Sequence, residues 1–586
     1  MDFPLRHLSI RVPWHDNGWN GTICNHPELN GACVELKRIA ANKKEADEIP
    51  YSGKKLEDVP TEAWPPCVSE RVAFMSNEAR IHIIRHALAE RNSTDYGHFK
   101  PTSQRYPAYS AGIVPFRWMM RNNMEDFQSL YDIDVDKSRE PDLGYNTTWV
   151  HECENQRNLL NGFAGHLREG QSLILFYAKN VPFTEGTGRV LIGAGHIRSI
   201  GELKEYDTEG SGPGGMLWER PIQHSIRPNG SEGFLMPFEQ LQKCLKEDPA
   251  LDAEAFIARA PDEHWDEFSF ASELVTHDGA IAGLLSMDSA LERMESDLGI
   301  PTTSERVWIS KELIRLWKVR GPFPGLGAVL TAMGLSRGIF LAHHLQSNAG
   351  ENSDPWPYVN GALHKPGEYL PPELQRDVPE VGAIWKKLDV ERRSFLKLLS
   401  RFEITIEKAK IFYSQNSRRK RGWECSDKDL LRDPYLFCNI SRHDPEKLGL
   451  LAIDRGVFPQ DIVRNKFPLD KPTFISSAID IRRVKAYIIH ALERASSIGH
   501  TILSIDALLE ALEFIPAQPE CPITEDTLTA RGADLTPDIL LVPGETNLFQ
   551  LERYHEMGNV IRKQIIGRLK GARHQIDVVW RPILES

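Results

Sequence analysis

The apolar periodicity of the chain changes character near residue 236, and that change restricts the fold more than any other feature. Between about 155 and 235 a helical run, NQRNLLNGFAGHL, leads to Gly170. Two β-branched and aromatic-rich runs follow, SLILFYA (172–178) and RVLIGAGHI (189–197), each bounded by turn residues. Runs of that length and composition read as strands, and the glycine-rich loop TEGSGPGG (208–215) closes the unit. From 237 to 300 the period is helical, as in FEQLQKCLKE and AIAGLLSMDSALERMESDLG. The stretch 305–515 is also mainly helical, broken by the polar loop SNAGENSDPWP (347–357). The first 150 residues follow neither pattern. They are rich in Trp, Pro and Gly, with SNEARIHIIRHALAER (76–91) as the clearest helix.

At 586 residues the chain exceeds what one hydrophobic core organises. The expectation is a multidomain α+β protein: an irregular α/β N-terminal module (1–150), a small β-barrel (151–236), a helical connector (237–300), helical regions over 301–380 and 381–515, and a lead-in to a further domain over 516–586. No apolar run approaches the roughly 20 residues that span a bilayer. The N-terminal MDFPLRHLSIRVPWHD lacks a signal pattern, so the expected location is the cytoplasm with no membrane partner.

A net charge of −12 argues against a protein that coats nucleic acid over its whole surface. It leaves room for local basic patches, because exposed charges beyond a Debye length of about 8–10 Å are largely screened. Two such patches stand out. From Arg401 to Trp423 seven Lys/Arg face two Glu, and SRRKRGW (417–423) holds four consecutive cations, Arg418, Arg419, Lys420 and Arg421, beside Trp423. Cations for phosphates next to an aromatic for base stacking suit single-stranded nucleic acid; a charged solvent loop is the competing reading. From Arg562 to Arg573 there are five cations and no acid, while Ile561, Ile565, Ile566 and Leu569 share one helical face. That pattern fits a helix docked on a partner and basic outside.

A third candidate is the hairpin at 311–335. KELIRLWKVR reads as a helix, GPFPGLG (321–327) as a tight turn, and AVLTAMGL as a second helix. The Pro-Gly-x-Gly turn resembles a helix-hairpin-helix motif. Gly325 and Gly327 would let backbone approach a phosphate, with free amides of the second helix and with Lys318 and Arg320 adding charge. The plainer alternative is a glycine-stopped helix followed by another.

The order of motifs further along carries a broader resemblance. Asp433-Pro434-Tyr435-Leu436, Asp454-Arg455-Gly456, Arg483-Val484-Lys485-Ala486 and Ile498-Gly499-His500-Thr501 occur in sequence, and NLFQLERYHEMGNVIRKQIIGRLKG (547–571) follows. This is similar to the segment that precedes the motor of RecD-like (superfamily 1) DNA helicases. Asp433 stands where the family has Asn and Ile498 where it has Glu. Without the family, Gly499 suits a C′ position of positive φ, and Ser504 or Asp506 could cap the helix IDALLEAL. The resemblance implies ATP-dependent work on DNA, single-stranded or at a junction, yet G-x-x-x-x-G-K-[ST] does not occur. ATP would therefore belong to a missing or separate helicase/ATPase motor polypeptide. The functional expectation is a DNA-binding accessory or N-terminal portion of such a helicase, in anti-phage defence or DNA repair. The alternative is a scaffold that docks the ATPase without touching DNA.

Two further readings concern the N-terminal half. The run GHLREGQSLILFYAKN…RVLIGAGHIRSI resembles a PUA-like β-barrel, which implies a cleft for a nucleobase with Phe176, Tyr177 and His196 as lining candidates. Core packing of the same aromatics is the alternative. Cys24, His26, Cys33 and Cys67 could give tetrahedral Zn²⁺ three thiolates and an imidazole, although Cys24-x-His26 is tighter than usual and His15 competes. Free structural cysteines account for the same residues. Eight cysteines are too sparse for a disulfide scaffold.

Overall fold

A computed structural model describes residues 3–12, 49–54, 58–60, 74–75, 77–84, 86 and 89. From 93 to 571 it describes all but 144–146, 179–180, 182–187, 216–218, 229, 351–352 and 543–546. The fold is mixed α+β, and the chain divides into two compact units, Met1–Phe474 with Pro516–Pro519, and Ile475–Ile515 with Glu520–Ser586.

The first unit is built on a curled half-barrel sheet. Its strands are β1 (His7–Arg11), β4 (Ser110–Ile113), β5 (Leu173–Ala178), β6 (Val190–Ile200), β7 (Arg220–His224), β8 (Gly233–Leu235) and β9 (Ser272–Val275), in the order β4-β7-β6-β5-β1-β9 with β8 beside β6. The pair β1/β5 is parallel and the other pairs are antiparallel. β5 lies at the centre, which explains its sequence: LILFYA is buried at every position, as expected of a strand covered on both faces rather than an alternating half-exposed one. The glycines of β6 have a packing reason. A Cβ on Gly193 would sit 2.4 Å from the Phe234 carbonyl oxygen of β8, so the close pairing of β8 with β6 requires the bare backbone there.

The sheet draws its strands from residues 7 to 275, so the segment 151–236 shares its hydrogen bonds with β1 and β4 and does not close on itself. β2 (Arg80–Ile84), paired separately with β3 (Thr102–Tyr106), stands where a helix is expected over 76–91. The reason is tertiary: Arg80–Ile84 contains three isoleucines and finds a cross-strand partner in TSQRY, and pairing on a pleated surface outweighs local helical propensity.

Helices cover the sheet and continue the unit: α1 (Met124–Tyr131), α2 (Cys153–Gly165), α3 (His277–Leu298), α4 (Thr303–Arg320), α5 (Leu326–Ala332), α6 (Gly338–Ala349), α7 (Val390–Leu399), α8 (Ile406–Tyr413), α9 (Gln415–Lys420), α10 (Asp427–Arg432) and α11 (Leu450–Val457). α3 is the central one. The Thr276 hydroxyl accepts from the Gly279 amide at 3.0 Å and starts it, and Gly299 at φ +66° ends it. Its face Ile281, Leu284, Met287, Leu291 and Met294 is wholly buried against the sheet core, each side chain contributing about 1.5–3 kcal/mol.

The second unit packs α12 (Ile481–Ser497) and α13 (Ile505–Glu513) on a small sheet of β10 (Leu503–Ser504), β12 (Leu548–Leu551) and β11 (Ile539–Val542). Val484, Ile488, Leu492, Leu508, Ile539 and Phe549 form its core. Gly499 takes φ +101° after α12, and the Ser504 hydroxyl accepts from the Ala507 amide at 3.3 Å. A long helix, α14 (Glu552–Lys570), follows β12. Among the described residues no helix is long and apolar enough to cross a membrane.

Candidate functional site

The hairpin of α4 and α5 forms, with Gly321 at φ +64° terminating α4. Its charged residues divide sharply. Lys318 is exposed. Arg320 is buried, its side chain 1% exposed, and forks onto Asp278 of α3: Nε reaches Oδ1, and Nη2 reaches Oδ2 at 3.2 Å. Nη2 also donates to the Arg401 carbonyl at 3.2 Å. That geometry takes Arg320 out of reach of a solvent phosphate. The turn glycines are likewise engaged. The Gly325 amide donates to the Ser400 carbonyl at 3.0 Å, and a Cβ there would lie 2.0 Å from the Phe402 carbonyl oxygen. A Cβ on Gly327 would lie 3.0 Å from the Ile339 Cα of α6. Both glycines therefore serve helix packing inside the unit.

Asp278 is the hub of a buried network. Arg455 of α11 places Nε 3.1 Å from its Oδ2, and Arg455 Nη2 lies 3.0 Å from Nε2 of His264. Arginine only donates, so that His264 nitrogen accepts and Nδ1–H donates to Glu267 Oε1 at 2.9 Å. Glu267 in turn accepts from the Thr276 amide and hydroxyl at the start of α3. Burial disfavours charge on Asp278, but Arg320 and Arg455 outweigh it and hold the carboxyl well below its usual range. Asp454, Arg455 and Gly456, expected at a turn, lie within α11, which enters the core through Arg455, and Gly456 packs against the Phe402 ring.

The basic run at 418–423 also splits. Arg418 is fully buried and ion-paired with Asp427 of α10, to which Arg392 of α7 also donates at 2.9 Å. Trp423 is 6% exposed and stacks on Phe412 of α8 with centroids 5.2 Å apart. It is core rather than a platform for a base. Arg419, Lys420 and Arg421 face solvent at the end of α9, Arg421 in an ion pair with Asp444.

Phe176 and Tyr177 are fully buried on β5. Phe176 packs against Phe74 and His224, and the Tyr177 hydroxyl lies 3.0 Å from the Ser269 carbonyl. His196 sets Nε2 3.2 Å from Glu312 Oε1 of α4, with its ring edge-on to Trp308. Sheet and helix are tied there, and the three residues do not line a common cleft. Cys24, His26, Cys33 and Cys67 lie outside the described residues.

Two features escape a reading of motifs. One is a cavity of about 800 Å³ in the first unit, walled by residues from α1, β9, α5, α6, the residues just before β1 and the segments 262–267 and 403–408. The other is the surface of α14. From His555 to Lys570 every residue is exposed, including Met557, Val560, Ile561, Ile565, Ile566 and Leu569. Its first turn is anchored, with Tyr554 donating to Ser496 Oγ at 2.8 Å and Arg553 paired with Glu493 at 2.6 Å. No family model matches the chain, and no curated protein or solved structure matches it.

Proposed function

We propose that this chain is an accessory, pre-motor-like portion of a RecD-like DNA helicase, carrying docking and DNA contact while the hydrolytic motor resides elsewhere. The observation that carries the reading is α14. Six large apolar side chains and the cations Arg562, Lys563, Arg568 and Lys570 all face solvent on one 19-residue helix. Isolated exposed apolar residues are ordinary, but a contiguous row of them marks an interaction surface. DNA contact falls to Lys318, Arg419, Lys420 and Arg421, which are the solvent-facing members of the two basic motifs. In this reading the α4/α5 hairpin contributes the exposed Lys318, its turn glycines and Arg320 being engaged inside the unit.

The test is single-strand binding by the full chain across a salt series. Each neutralised phosphate adds about −0.7 to the slope of log K against log salt for single strands. Reversing Arg419, Lys420 and Arg421 to Glu should therefore weaken binding and flatten that slope by about 2. A flat response in the unaltered chain removes the DNA contact and leaves the scaffold reading, which α14 favours independently. In that case Ile565→Glu should abolish co-purification of an ATPase while leaving the thermal midpoint of the chain unchanged.

A further inference from the structure

The 800 Å³ cavity is of a size that holds a small organic ligand, within the usual range of about 300–1,000 Å³. Three of the acidic side chains on its wall are already engaged. Glu403 pairs with Arg6 at 3.3 Å. Glu267 serves His264 and Thr276. Glu263 caps the amides of Leu451 and Ala452 at 2.9 and 3.1 Å. Glu273 of β9 is different. It lines the cavity, is 3% exposed, and its Oε1 has no hydrogen-bond partner among the described residues. A buried acceptor left without a donor is destabilising unless something fills the site.

The groups facing Glu273 are Arg117 from the loop after β4 and Asp266 and Glu267 from the segment before β9. On β1 the cross-strand neighbour is Ser9, whose hydroxyl donates to the Glu267 carbonyl at 2.6 Å. Two negative charges and one positive leave the surroundings favourable to an incoming cation. We propose that this cavity binds a small organic cation, an alkylammonium or guanidinium compound, whose N–H groups are received by the Glu273 carboxylate. A head group that brings its own hydrogens suits a lone carboxyl better than a metal ion does, since metals take several ligands, and no group of three or more His, Cys, Asp or Glu placed to hold one is found among the described residues. This inference is independent of the DNA reading.

Burial, with Asp266 and Glu267 opposing Arg117, pushes the Glu273 carboxyl up to about 8. At pH 7 the empty site is therefore protonated, and binding a cation must release that proton. Agmatine and putrescine are the probes, titrated calorimetrically into the full chain in buffers of different ionisation enthalpy. The expected result is saturable binding with close to one proton released at pH 7, and agmatine binding about tenfold tighter at pH 9 than at pH 7. Glu273→Gln, which keeps shape and removes charge, should weaken binding at least tenfold and abolish proton release. Arg117→Gln, at an exposed side chain, removes a competing positive charge and should tighten binding severalfold. Absence of saturable binding by either amine, binding without proton release, or equal affinity in the Glu273→Gln and unaltered proteins would each overturn the proposal.

Discussion

Arg320→Ala separates the two roles that a cation at the end of α4 can have. In the fold its guanidinium forks onto Asp278 and donates to the Arg401 carbonyl, with the two side chains 1% and 0% exposed. Truncation leaves Asp278 with Arg455 as a remaining cation and strips the Arg401 carbonyl of a donor. Breaking a buried ion pair from one side costs about 3–5 kcal/mol, because the surviving charge stays buried. In urea, with a slope near 3 kcal/mol per M, the midpoint of the far-ultraviolet circular dichroism transition should fall by about 1–1.7 M without a change of slope. Lys318→Ala, at an exposed position two residues earlier, should stay within about 0.5 kcal/mol. The DNA assay should reverse the order: affinity should fall for Lys318→Ala and hold for folded Arg320→Ala at low temperature. If Arg320→Ala leaves the urea midpoint in place and lowers DNA affinity, the ion-pair argument is wrong and the arginine works at the surface.

Glu273 makes stability depend on pH in an unusual direction for a carboxyl. Its folded value of about 8 lies above the unfolded value of about 4.3, so the folded state holds the extra proton. Its contribution is fully present below pH 4.3, declines from there to pH 8, and is flat above. Glu273→Gln should therefore unfold at higher urea than the unaltered chain at pH 9, by about 2–5 kcal/mol, with the gap closing toward pH 5; a constant gap across that range contradicts the assignment. Ser504→Ala should destabilise α13 and the second unit by about 1 kcal/mol, read as earlier loss of hydrogen-exchange protection in 505–513, and unaltered protection there would refute the cap.

The parts of the fold legible in the sequence were those set by local chemistry. LILFYA reads as a buried strand because no residue in it tolerates water, and Gly499 and Ser504 mark the end of α12 and the start of α13 through backbone and capping preferences. The site was less legible because the fate of a charge depends on what reaches it. Arg320 and Arg418 look like surface cations beside Lys318 and Arg419, yet Asp278 and Asp427 wait for them 42 and 9 residues away. Trp423 invites a stacking role, and Phe412 takes its face. β9 is four residues long and sits within a helical stretch, so neither its pairing with β1 nor the exposure of Glu273 to a cavity has a signal in periodicity.

The position of β1 inside the sheet has a consequence for synthesis. Residues 7–11 lie between strands made of residues 173–178 and 272–275. A nascent chain elongating at about 5–20 residues per second must hold this strand unpaired on its β9 side for about 13–50 s. Through that interval Leu8 and Ile10 depend on chaperones or transient contacts, and truncations ending at 150 or 236 should be aggregation-prone rather than independently folding pieces.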